Sequence, residues 1–290
     1  MKQGIRKNSL RIKLLVFGLL AFAGLFVAGC SKQEAATSTP SQPPAATNHF
    51  TIAGSTSVQP LSEVLVEAFT AKNPAIKIDV QGGGSSAGIQ SAKSGAAQIG
   101  SSSRELTAEE KGANLQEFII ARDGIAIIVH PSNPVVDLSV EDIRRIYSGQ
   151  ILSWSQFGGT DKQITIITRE AGSGTRGAFE ELVMGKNNPI IGKALVQNST
   201  GAVRTAVASD PLAIGYVSLA SLNQDIKAIK INGIEATAAS VDAGSYKLSR
   251  PFIYLTKDAP TGAVKAFIDF VLSSEGQAHV EKEGLVKFKK

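Results

Sequence analysis

One arrangement recurs along this chain and limits what it can fold into: a short β-branched strand, a turn of Gly, Ser and Thr, then a helix. Its fullest form is Ile164–Leu182, where Ile164, Thr165, Ile166, Ile167 and Thr168 alternate as a strand does. Gly172-Ser173-Gly174-Thr175 follow, and then Ala178, Phe179, Leu182 and Val183 at helical spacing. Such a turn exposes the first N–H groups of a helix beside side-chain hydroxyls, which together suit an anion. Arg169, at the strand's end, adds a planar donor fork. A single turn of this kind reads equally well as a helix cap. The same pattern returns at Gly54–Ser57 and Gly82–Ser86, with a related turn at Ser101–Arg104.

Strand and helix patterns alternate from Phe50 to the C-terminal helices at Thr261–Leu272 and Gly276–Lys282, which predicts α/β layering. Ile76–Gln81, Gln98–Gly100, Ile125–Val129, Ala213–Val217, Asp225–Asn232 and Pro251–Thr256 read as strands. Thr107 with Glu110 has the form of a capping box, and Ser139 caps a helix through Tyr147.

The N-terminus reads as a targeting segment. Lys2, Arg6, Lys7, Arg11 and Lys13 precede an apolar run, Leu14–Ala28, too short and too one-sidedly flanked for a membrane span. Phe26-Val27-Ala28-Gly29-Cys30 resembles the lipobox of bacterial lipoproteins, with Phe26 where Leu is usual. That resemblance implies a signal peptide over 1–29, lipidation (palmitate) on Cys30 and export. An uncleaved anchor would also leave the remaining chain outside the cytoplasm. Residues 30–48, rich in Ser, Thr, Pro and Ala, read as a flexible tether. About 240 residues remain, enough for two modest lobes.

Removing that segment changes the charge. The full chain has 30 basic and 25 acidic residues, a net +5. Five of the basic residues lie in the signal, so the mature chain carries 25 against 25 and offers nucleic acid no basic surface. Cys30 is the only cysteine, which excludes a disulfide, and His49, His130 and His279 share no metal-ligand spacing. No cofactor is expected.

Competing motifs lack their partners. Gly82-Gly83-Gly84-Ser85-Ser86-Ala87 fits a dinucleotide turn, but Ser and Arg stand about 20 residues on, where an acid would meet the ribose. Ile89 follows Gly88 where a phosphate-binding P-loop needs Lys. Ala171 replaces the first Gly of a nucleophile elbow around Ser173.

Read together, GSTSVQPL (54–61), GGGSSAGI (82–89), SSSREL (101–106), DGIAIIVHP (123–131) and TREAGSGTRGAFEEL (168–182) resemble one family. IRRIYSGQILSWSQFGG (143–159), AIGYVSL (213–219), LSRPFIYLT (248–256) and VKAFIDFVLSSEGQ (264–277) extend the likeness over nearly all of Phe50–Phe288. It is the phosphate-binding protein of the bacterial ABC-type phosphate importer, in its shorter lipoprotein form. The resemblance implies a type II periplasmic-binding-protein fold of two α/β lobes joined by two hinge strands: 49–127 with 253–290, and 128–252. The apolar runs Ile125–Val129 and Phe252–Leu255 are the expected crossings.

The same resemblance implies a phosphate site formed by Thr56, Ser57, Ser85, Ser103, Arg169, Ser173, Gly174 and Thr175. Longer relatives carry an aspartate where this chain has Ser103, and an acid where it has Ala171. Asp123 is therefore assigned as acceptor for the phosphate proton, although Asp-Gly before a strand also reads as a turn. Glu170 is the nearest partner for Arg169. The implied partners are inorganic phosphate, the permease and ATPase subunits of an importer, and the membrane through lipid on Cys30; the protein is expected to be a monomer. Alternatives are a binder of sulfate, molybdate or tungstate, a secreted phosphatase using Ser173, or a tethered scaffold. The phosphatase would need a general base, and no His lies in the four turns.

Overall fold

A computed structural model describes residues 48–288. The expected signal peptide, Cys30 and most of the tether lie outside them. The chain begins β1 (His49–Gly54), α1 (Gln59–Lys72), β2 (Lys77–Gly82), α2 (Ser85–Ser94), β3 (Ile99–Ser102) and α3 (Ala108–Lys111). The long β4 (Gln116–Val129), a short β5 (Asp137–Leu138) and α4 (Val140–Tyr147) follow. Then come β6 (Thr165–Arg169), α5 (Gly174–Phe179), β7 (Leu195–Gln197), α6 (Thr200–Ser209) and β8 (Ala213–Ser218). The chain closes with β9 (Lys227–Ala228), β10 (Lys230–Ile231), α7 (Ala238–Asp242), β11 (Ser249–Thr256), α8 (Gly262–Leu272), α9 (Ser274–Lys282) and β12 (Val286–Lys287).

Local chemistry explains the elements that carry the site. In β1 the inward positions Phe50 and Ile52 are buried while their neighbours are not, the period-two signature of a strand with one packed face. In α1, Leu61, Leu65 and Phe69 recur every fourth residue and are buried, with Pro60 in the first turn where no N–H is needed. The expected capping box forms at Thr107/Glu110, and Ser139 caps α4 as expected, in a second box with Asp142 that the sequence reading did not name. After Phe179 the α5 helix widens into a π-turn over Glu180–Met184, which apolar spacing alone does not signal. Asp225–Asn232 is not one strand but two short ones, β9 on β4 and β10 on β5.

The main sheet runs β2-β1-β3-β11-β4-β8-β6-β7. β1, β2 and β3 are parallel, as are β6, β7 and β8, while β11 runs antiparallel to both β3 and β4. Two apolar cores sit along this path. One gathers Phe50, Ile52, Phe69, Phe252, Tyr254 and Phe267, with Phe267 edge-on to Phe69 at 5.3 Å between ring centres. The other gathers Ile125–Val129, Tyr147, Trp154, Phe179 and Tyr216. There Phe179 stacks on Tyr216, their planes 6° apart and ring centres 4.2 Å apart.

β4 and β11 carry the chain between the two neighbourhoods through the middle of the sheet. On β4, Ala121 belongs to the first core and Ile125 to the second; near β11, Leu248 belongs to the second and Phe252 to the first. The two apolar runs expected as crossings therefore lie just to either side of the passage. The passage itself runs through the polar residues Arg122, Asp123 and Arg250.

Candidate functional site

The four polar turns meet where the two cores face each other. β1, β3 and β2 end side by side, because Gly54 pairs with both Gly82 and Ser101. Their turns are sewn together: Ser55 N–H donates to the Ser101 carbonyl at 3.0 Å, and Gly83 and Gly84 N–H donate to the Gly54 carbonyl at 2.8 and 2.9 Å. Ser85 Oγ accepts from the Ser103 N–H at 3.0 Å, and the Ser55 hydroxyl donates to Ser103 Oγ at 2.9 Å.

From the other side, β6 delivers Arg169 and the turn into α5 delivers Ser173, Gly174 and Thr175. Ser57 Oγ lies 2.8 Å from Thr175 Oγ1, and Ser86 N–H donates to the Gly172 carbonyl at 3.1 Å. Gly174 packs so closely that a Cβ there would collide with Ser85 Oγ. Gly84 holds φ at +89° and lets the chain turn into α2 without its own side chain intervening.

Capping does not account for these hydroxyls. The N-cap positions of α1 and α2 are Val58 and Gly84, neither of which caps with a side chain. Ser85 lies inside α2 and spends its oxygen on Ser103. Ser173 does cap α5, accepting from Arg176 N–H at 3.2 Å, which leaves its own hydrogen to donate.

Arg169 is 2 % exposed, and its fork is almost fully engaged. Nε and Nη2 each reach a Glu170 oxygen at 2.8 Å, Nη2 also reaches Thr56 Oγ1 at 3.1 Å, and Nη1 reaches Thr200 Oγ1 at 3.1 Å. The pairing with Glu170 is the one expected. Arg104 and Arg176 instead pair with Glu110 and Glu180.

Asp123 is not brought to this cluster, and here the sequence expectation needs correcting. Its carboxylate has no exposed surface and already takes four donors. Oδ1 accepts from the Ser218 hydroxyl at 2.9 Å and Leu219 N–H at 3.1 Å; Oδ2 accepts from Arg250 Nε at 3.1 Å and Nη2 at 2.9 Å. Two oxygens offer about four lone-pair positions, so none is left for a ligand proton. Burial pushes the Asp123 carboxyl up, while Arg250, Ser218 and Leu219 N–H pull it back.

Two residues escaped the sequence reading. Thr200 opens α6 and touches Ser57 Oγ at 2.8 Å, Thr56 Oγ1 at 3.2 Å and Arg169. Its signal was present: Ser199-Thr200-Gly201 is a further hydroxyl turn after a strand, masked by the exposed, short β7. Arg250 sits 127 residues from Asp123, and no local pattern announces that pair.

The PBP superfamily domain matches residues 37–275. The phosphate-binding protein PstS of Bacillus subtilis (strain 168) is 33 % identical over 282 residues, 95 % of this chain and 92 % of its own. The chain belongs to the PstS family of phosphate-binding proteins. Among PstS-like structures, a Clostridium perfringens chain assigned as a phosphate ABC transporter substrate-binding protein, with phosphate bound, is 44 % identical with a TM-score of 0.81. The match covers 83 % of this chain and all of that one. An ABC-type phosphate transport receptor from Vibrio cholerae is 38 % identical with a TM-score of 0.69, over the same shares. The body of this PstS-family chain is thus a periplasmic-binding-protein fold, as the motif order implied.

Proposed function

We propose that this protein captures inorganic phosphate between its two lobes and hands it to the permease and ATPase subunits of an ABC importer. The observation that carries the reading is the buried Arg169 fork, ringed by hydroxyls that reach it from both cores. Neutral donors in such number read the geometry of an oxyanion, where lysines would read only its charge. The ligand set is Thr56, Ser57, Ser85, Ser103, Arg169, Ser173, Gly174 and Thr175, joined by Thr200 and without Asp123. Micromolar binding needs about −8 kcal/mol, and hydrogen bonds to a charged group contribute about 1.5–3 kcal/mol each.

The expected lobes, 49–127 with 253–290 and 128–252, are adjusted at their edges: the bend is placed at Arg122–Gly124 and Ser249–Pro251, because Ile125–Ile127 pack in the second core and Phe252 in the first. Support comes from the parting of the two cores at those residues. PstS-type binding proteins act outside the cytoplasm, and their role is transport. Among the described residues no helix is long and apolar enough to cross a membrane. Lipid on Cys30 of a monomer would tether the body to the outer face of the cell envelope. Titration calorimetry with phosphate and with sulfate tests the reading: tight phosphate binding with sulfate at least a hundredfold weaker is expected, and absent phosphate binding overturns it.

A further inference from the structure

The ion pair between Asp123 and Arg250 occupies the place where both crossing strands pass from one core to the other. The two residues stand opposite each other in the β4–β11 ladder. Arg250 is 3 % exposed, and Asp123 not at all. Asp123 is anchored through Oδ1 to Ser218 and Leu219, at the end of β8 in the second core. Its Oδ2 takes Nε and Nη2 of Arg250. The remaining arm, Nη1, crosses to the first core, donating to the Ser103 carbonyl at 3.1 Å and to Ser103 Oγ at 3.3 Å.

Counting hydrogens gives this arm a meaning. A serine hydroxyl has two lone pairs and one hydrogen. Ser103 Oγ already accepts from Arg250 and from the Ser55 hydroxyl, so both lone pairs are filled. Its one hydrogen can only be given away, and Ser85 Oγ, 3.4 Å off, is a long contact that an anion oxygen can replace.

We infer that Arg250, held by Asp123, is a positioning residue that makes Ser103 an obligate hydrogen-bond donor to the bound oxyanion and ties that donor to the hinge. The inference rests on the oxyanion reading of the cluster. It explains why an arginine stands here: one planar fork can grip a carboxylate with two nitrogens and a serine with the third, which a lysine cannot. The pair is neutral as a unit, so it supplies orientation to the site and no net charge. Burial lowers Arg250 and raises Asp123, and each holds the other charged.

The test is a double-mutant cycle read by phosphate calorimetry, with thermal unfolding of each ligand-free variant alongside. Arg250→Lys keeps the ion pair but loses the reach to Ser103, and about tenfold weaker phosphate binding is expected, as for Ser103→Ala. The double variant should bind within about twofold of Ser103→Ala alone, because the arginine acts through that hydroxyl. A purely structural arginine would lower the melting temperature and give losses that multiply. Multiplying losses, or wild-type affinity in Arg250→Lys, overturn the inference and leave the phosphate site standing. If Arg250→Lys does not fold, the neutral pair Asp123→Asn with Arg250→Gln replaces it in the same cycle, since no buried ion is left unpaired. No phosphate binding by the unaltered chain overturns the site and this inference together.

Discussion

Glu170 grips the guanidinium of its neighbour Arg169 with both carboxylate oxygens, each 2.8 Å from its nitrogen. The arginine is almost completely buried and the glutamate is about a quarter exposed, so the acid shields one edge of the fork and leaves the other facing Thr56 and Thr200. A buried cation so braced cannot swing away when a ligand leaves. The positive edge is set before phosphate arrives, which spares binding the cost of ordering a long side chain.

Arg169→Ala should therefore weaken phosphate binding by at least about a hundredfold, the scale of two charge-assisted hydrogen bonds. Arg169→Lys should recover only part of that, because a point charge cannot hold Glu170, Thr56 and Thr200 at once. Calorimetry on both variants decides it, and wild-type affinity in the alanine variant removes Arg169 from the site.

Thr200 reaches the Gly54–Ser57 turn and Arg169, so Thr200→Val, which keeps shape and removes the hydroxyl, should cost about tenfold in affinity. The loss should appear as faster phosphate release, since the hydroxyl fastens α6 to Thr56 and Ser57 across the cleft. Stopped-flow release kinetics would show it, and an unchanged off-rate would reduce Thr200 to a packing residue.

Asp123→Asn should cost stability more than selectivity. Removing one partner of a buried ion pair typically costs about 3–5 kcal/mol, and the amide would turn two hydrogens toward groups that are themselves donors. Urea unfolding should register that loss, while the phosphate-to-sulfate affinity ratio stays as in the unaltered chain. A collapsed ratio would restore Asp123 as the reader of the ligand proton.

Glu110 gives a pH-dependent prediction. The hydrogen bond from Arg104 lowers its pKa below the ordinary 4.5. A depressed carboxyl stabilises the fold fully above its unfolded pKa and loses that contribution as pH falls through the folded one. The melting-temperature gap between the unaltered chain and Glu110→Gln should be constant near neutrality and narrow below about pH 4.5. Because Arg104 follows Ser103 directly and also reaches Ser86 Oγ at 3.2 Å, the same acid range should loosen the turn that presents Ser103.

The sequence made the local part of this site readable and hid the part that depends on long-range pairing. Gly54–Ser57, Gly82–Ser86 and Gly172–Thr175 are contiguous, and each announces its own turn. Glu170 could be paired with Arg169 because they are adjacent. Asp123 and Arg250 meet only through the ladder of β4 and β11, so sequence showed a lone acid where the structure has a satisfied ion pair. The error had a physical origin: an acid looked free to receive a proton because its four donors come from distant segments. Thr200 was missed because Leu195 and Val196 on β7 are exposed, so that edge strand lacks the buried pattern that marks the others.

The position of β11 in the sheet has a consequence for how the chain comes to fold. β11 is made late, yet it lies between β3 and β4, which were made long before. Until residues 249–256 are available, β3 has no neighbour on that side, and Phe50, Ile52 and Phe69 lack Phe252, Tyr254 and Phe267 to close over them. The first-synthesised half cannot finish its own core, whereas β6, β7 and β8 can assemble with the helices between them as soon as they emerge. Nascent chains should thus complete the middle of the sequence first and the beginning last. Any truncation ahead of Ser249 should leave β1, β2 and β3 with their helices open to protease, an order imposed by long-range pairing rather than by local propensity.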